Sequence, residues 1–123
     1  MPTKEVSVDE ILPAELHYQR SISEMVLDWT EQLVTCLQAD YDSNKYTSGN
    51  YKFEIQTGRK YHKICAKNQG VHAFVNKMTG EVFKPASYKA PAKHVRYDLR
   101  LISDRKRCYA NADWAGGYLY LRG

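Results

Sequence analysis

The sequence predicts an α+β fold: an antiparallel meander of four to five strands packed on an N-terminal amphipathic helix, with a short C-terminal helix. Two observations carry this. From Ser21 onward, Ile22, Met25, Val26, Trp29, Leu33, Cys36 and Leu37 recur at spacings of three and four, one apolar stripe on a helix. After it, YKFEIQ, RKYHKICA, VHAFVN and EVFK are short apolar-alternating runs separated by Thr57-Gly58, Asn68-Gln69-Gly70 and Lys77-Met78-Thr79-Gly80. Glycine-bearing connections that short join consecutive antiparallel strands.

Each element has its own signal. At 123 residues the chain supports one core and one domain, residues 1–123. Residues 1–20 hold Val6, Val8, Ile11, Leu12 and Leu16 around Pro13, too sparse for a regular element, and are expected to form an arm. Ser21 with Glu24 three residues on is a capping box, opening a helix over 21–39. The meander spans 51–84. With loops of two, four and four residues it pairs Phe53 with His62, Ile64 with Ala73, and Val75 with Val82. Strand alternation then gathers Tyr51, Phe53, Ile55, Ile64, Ala66, Val71, Ala73, Val75 and Val82 on one face, beneath the helix stripe. Pro85 and Pro91 bar helix and central strand, so 85–102 reads as a basic loop. Ser103 caps a second helix over 103–115, stopped by Gly116-Gly117, and 118–121 reads as a short final strand.

Charge narrows the function. Residues 1–56 carry four Lys/Arg against ten Asp/Glu, whereas residues 57–123 carry fourteen against four. A cationic surplus confined to one half suggests a polyanionic partner, DNA or RNA, or an acidic protein. Internal neutralisation by the acidic half is the competing explanation. The second sheet face collects Lys52, Glu54, Arg59, Tyr61, Lys63, Cys65, His72, Phe74, Asn76, Glu81 and Phe83, with Phe74 opposite Phe83. Rings interleaved with cations hold single-stranded nucleic acid by stacking and phosphate contact. The alternative is that a loop or the second helix covers the phenylalanines as a small core. Lys84, Tyr88, Lys89, Lys93, Arg96, Arg105 and Arg107 extend the set of candidate contacts along the basic loop and second helix.

Other chemistries find less support. No apolar run reaches the ~20 residues that span a bilayer, so no membrane partner is expected, and MPTKEVSVDE lacks a secretory pattern. Cys36, Cys65 and Cys108 are far apart and read as free thiols in a reducing compartment. The four histidines form no metal-binding spacing, and no phosphate-cradling glycine motif occurs. No catalytic residue, metal or cofactor is therefore assigned. His62 reads as a hydrogen-bonded core or edge histidine. His72 beside Lys63, Tyr61 and Arg59 leaves a metal-independent nuclease as one alternative.

The segments VHAFVNKMTGEVFKPASYKAPAKHVRYDLR and ADWAGGYLYL resemble a family of small proteins of unknown function encoded by tailed bacteriophages, including those infecting cyanobacteria. The resemblance covers about the last 55 residues, and FVNKMTGEVFKPASYKAPAK is its specific part. It implies a phage origin and action in the host cytoplasm or in the virion, and it assigns no site. Taken together, the expectation is a phage-encoded nucleic-acid-binding protein. The alternatives are a module that inhibits an acidic host protein, a minor virion component, and the nuclease.

Overall fold

A computed structural model describes residues 21–44, 51–67 and 69–120, so the expected arm over 1–20 lies outside the described residues. The first helix, α1 (Ile22–Ser43), opens with the capping box: the Ser21 hydroxyl accepts from Glu24 N, and Ser21 N donates to the Glu24 carboxylate, both at 3.2 Å. Val26, Thr30, Leu33, Leu37 and Tyr41 form its buried stripe. Thr30 belongs there because its hydroxyl donates to Val26 O at 2.7 Å, which removes the cost of a buried polar group.

The helix runs one turn past the expected end at Ala39, and tertiary contacts explain the extension. Tyr41 stacks on Tyr51 at 4.8 Å and meets the edge of Trp114 at 5.2 Å. One turn earlier, the Gln38 amide donates to Tyr51 O and accepts from Phe53 N, each at 2.9 Å. That side chain acts as a surrogate strand edge and docks the start of the sheet on the helix.

The sheet comprises β1 (Phe53–Thr57), β2 (Tyr61–Ala66), β3 (Gly70–Asn76), β4 (Glu81–Phe83) and β5 (Tyr97–Asp98), all antiparallel and in sequence order. Ile64 pairs with Ala73, Val75 with Val82 and Phe74 with Phe83, as the turn lengths predict. The β1–β2 register differs: Phe53 lies opposite Ala66, not His62. A two-residue hairpin turn needs a positive φ, and Gly58 does not adopt one; a longer turn forms, closed by Gly58 N donating to Tyr61 O at 2.9 Å. The slip is an even number of residues, so no side chain of β1 changes face.

A bulge does change faces. Between Ile64 and Cys65 the β2–β3 register shifts, so Cys65 pairs with Val71 and His72 is the extra residue. His72, expected on the outer face with Arg59 and Lys63, instead joins the core face. Its Nε2 is 2.8 Å from the Tyr118 hydroxyl, and its ring meets the edge of Phe53 at 5.3 Å.

The C-terminal part departs furthest from expectation. The fifth strand is Tyr97–Asp98, inside the segment expected to be loop, whereas Gly117–Leu119 is a 3-10 turn with Tyr118 and Leu119 buried. The second helix, α2, spans Ile102–Asn111, and Ser103 does not cap it. It ends before the expected Ala115 because the chain is drawn into other bonds. Trp114 N donates to the Asp40 carboxylate at 2.9 Å, and the Asp113 carboxylate accepts from Tyr118 N at 2.9 Å and Gly117 N at 3.3 Å. Tyr109 donates to Trp29 O at 2.7 Å and fastens α2 to α1. Helices therefore cover one face of the sheet, over a core of Leu33, Leu37, Ile64, Ala73, Val75, Val82 and Leu99. The other sheet face is left to side chains and one loop.

Candidate nucleic-acid interface

The outer sheet face is built by strand alternation: Gln56 pairs with Lys63, Lys63 with Phe74, and Phe74 with Phe83. Phe74 is 1% exposed, so it is no open stacking platform. Tyr61 packs edge-on against Phe74 at 5.6 Å and Phe83 at 6.2 Å, and the Lys63 ammonium lies 5.7 Å from the Phe74 ring centre. The second helix has no part in this cover.

The proline-punctuated segment completes the face. Pro85 and Pro91 sit opposite each other in an isolated bridge, and because neither can donate, their neighbours do. Ala92 N donates to Lys84 O at 2.7 Å and Ala86 N to Ala90 O at 2.9 Å. Residues 85–91 thus form a small hairpin on the β4–β5 connection. Tyr88 at its tip is 56% exposed, with the Lys63 ammonium 4.1 Å from its ring centre. At that distance the cation and the ring attract each other.

Between this tip and the β1–β2 turn lies a cleft of about 320 Å³ lined by Arg59, Lys60, Tyr61, Lys63, Phe74 and Lys89 together with Gln56, Thr57 and Gly58. Four cations converge there, and no carboxylate is among its described lining. The Lys60 ammonium also lies 5.5 Å from the Tyr61 ring centre. Lys77 anchors the turn by donating to Gly58 O at 3.0 Å. Such a cleft can take phosphates on its rim and a base against Tyr61 or Tyr88.

Five residues singled out by sequence, Arg59, Tyr61, Lys63, Phe74 and Lys89, line this cleft, and Tyr88 stands beside them. The others lie elsewhere. Lys84 places its ammonium 5.0 Å from the Tyr120 ring centre, at another cleft. Lys93 is exposed on the returning arm of the hairpin connection. Arg96 turns inward, its guanidinium donating to the carbonyls of Leu119, Lys93 and His94. Arg105 stacks over Trp29 at 4.4 Å and donates to Leu99 O at 2.7 Å, which places it in the helical layer. Arg107 lies over Tyr97 at 4.5 Å and is paired with Asp104. Lys60 was missed by sequence reasoning. The run RKYHK held the signal, but the assumed two-residue turn put the hairpin tip in the wrong place.

The histidines sit away from this chemistry. His62 is 3% exposed on the core face, its Nδ1 2.9 Å from the Thr57 hydroxyl, while its Nε2 has no partner. Burial, with Lys77 adding to it, holds its pKa below the usual value. For His72, burial lowers the pKa to about 4, partly offset by Asp113. Burial raises the Cys108 thiol to about 12, which leaves it unreactive. Among the described residues no three His, Cys, Asp or Glu side chains are grouped to hold a metal ion. None of the described helices is long and apolar enough to cross a membrane.

Fold and cleft together define a two-layer α+β domain with a cationic, aromatic-walled cleft on the sheet face away from its helices. Residues 12–121 match a family of unknown function, DUF7717, and the chain belongs to that family. No curated protein and no solved structure matches it.

Proposed function

We propose that this protein binds single-stranded nucleic acid in the cleft between the β1–β2 turn and the 85–91 hairpin. The observation that carries the reading is the convergence of Arg59, Lys60, Lys63 and Lys89 around Tyr61, with Tyr88 alongside and no carboxylate in the described lining. Clustered cations attract a polyanion. Rings beside them favour a strand whose bases are free to stack, each contact contributing about 1–3 kcal/mol. A duplex offers no such bases. The resemblance of about the last 55 residues to tailed-phage proteins would place this binding in the cytoplasm of an infected host or in the virion.

Fluorescence anisotropy of a labelled oligonucleotide at low salt tests this directly. Lys63→Ala with Lys89→Ala should weaken binding at least about tenfold, each lost phosphate contact removing part of the electrostatic affinity. Lys106→Ala, on α2, should leave it within about twofold, since only screened long-range charge is lost. Equal effects from the two variants would refute the cleft as the site. Binding to an acidic protein, with none to oligonucleotides, would favour the host-inhibitor reading.

A further inference from the structure

A second cleft, of about 460 Å³, lies at the other end of the sheet, between the start of β3, the end of β4 and the segment after α2. It falls in the size range of small-ligand pockets. Tyr51, Trp114 and Tyr120 give it aromatic walls, and Lys84 is the one charged residue among its described lining. Two of the walls, Tyr51 and Trp114, are fixed from behind. Tyr51 stacks on Tyr41 at 4.8 Å and meets Trp114 at 5.3 Å, and Trp114 N is held by Asp40. Tyr120 is 60% exposed beneath the Lys84 ammonium.

Two glycines in left-handed backbone line the cleft. Gly70 has φ 97°, and a Cβ there would meet nothing within 4 Å, so this wall faces empty space. Gly116 has φ 88° and brings its backbone to the edge of His72, where a Cβ would sit 3.7 Å from the imidazole Cε1. His72 is tied to the Tyr118 hydroxyl and supports the wall without adding charge. Aromatic surfaces, two of them held in place, with a single cation in the described lining select a flat ring carrying an anionic group.

We propose that this second cleft is a site for one nucleotide, its base against Tyr51, Trp114 and Tyr120 and its phosphate at Lys84. The assignment does not depend on the Arg59–Lys63 cleft, because the two share no lining residue. Either a free mononucleotide or one residue of a strand supplies the same chemistry.

Amide and indole NMR shifts of the full chain, titrated with adenosine monophosphate through the millimolar range, provide the test. Saturable shifts are expected at Gly70, Gly116 and the Trp114 indole. Tyr120→Ala should weaken them at least about fivefold, the loss of one stacking partner, and Lys84→Ala should also weaken them, while the remaining resonances report an intact fold. An adenylate oligonucleotide that moves these signals when the mononucleotide does not would place a strand residue there, which also supports the site. Silence from both ligands, or equal shifts from ribose 5-phosphate, would overturn it. Repeating the titration in the Lys63→Ala, Lys89→Ala variant separates the two sites, since these signals should persist there even when oligonucleotide affinity is lost.

Discussion

Arg96 shows how one side chain can carry charge and yet serve the fold. Its guanidinium gathers the carbonyls of Lys93 and His94 and reaches across to Leu119. His94 has φ 75°, a backbone state that costs a non-glycine residue of order 1–3 kcal/mol, and the clamp holds it there. Arg96→Ala should therefore lower unfolding free energy by about 2–4 kcal/mol in urea titration, as three charge-assisted bonds are lost. Neighbouring Lys93→Ala should change it by less than about 0.5 kcal/mol, since that side chain is exposed. His72 makes a pH prediction. Its folded-state pKa, about 4, lies below the ordinary histidine value, so the unfolded chain binds the extra proton first. Stability is then full above the unfolded pKa, falls as pH drops through about 6.5, and levels off near 4, a loss of up to about 3 kcal/mol. His62 shifts in the same direction and adds to the slope. Thermal melts across this range should fall less steeply for His72→Gln than for the wild-type chain.

At the scale of elements, the turns decide how much could be read from sequence. The Asn76–Gly80 turn was legible because its residue types have fixed uses: Asn76 Oδ1 accepts from Met78 N and Thr79 N, and Gly80 takes φ 73°. A Cβ on Gly80 would lie 3.2 Å from Arg100 Cγ and 3.4 Å from Arg100 N. Gly80→Ala should cost about 1–2 kcal/mol from the left-handed backbone alone. Gly58→Ala should cost no more than about 0.5 kcal/mol, as its φ is ordinary and its nearest neighbour is 3.5 Å away. Chemical denaturation of the pair checks both. The β1–β2 register was not legible, because Thr57-Gly58 has the composition of a tight turn without its backbone. The bulge at His72 left no signature either: one added residue looks like ordinary alternation until the partner strand is known. β5 was hidden by its length of two residues, paired only because the 85–91 hairpin returns the chain beside β4.

Among the described residues, an acidic helix and a cationic cleft lie on opposite faces of the sheet. Residues 21–44 hold five Asp/Glu and no Lys/Arg, and that helix lies on the covered face of the sheet. The cationic cleft lies on the opposite face. Part of the charge asymmetry along the sequence thus separates across the sheet, while Arg105, Lys106 and Arg107 on α2 join the acidic helix in the helical layer. From sequence, the candidate contacts spread over twelve residues, of which five line the cleft. Arg105 and Arg107 went to the helical layer, and Arg96 to the hairpin clamp, because short linear separation does not report which layer an element joins. What brings the cleft together is long-range: the 85–91 hairpin lays Tyr88 and Lys89 over a strand that ended more than twenty residues earlier.

The salt dependence of oligonucleotide affinity reports directly on whether the cleft holds phosphates. If the four cleft cations each neutralise a phosphate, log affinity should fall against log salt with a slope of about −3, and the Lys63→Ala, Lys89→Ala variant should flatten it by about 1.4. A slope near zero, or one unchanged in the variant, would contradict the cleft as a polyanion site.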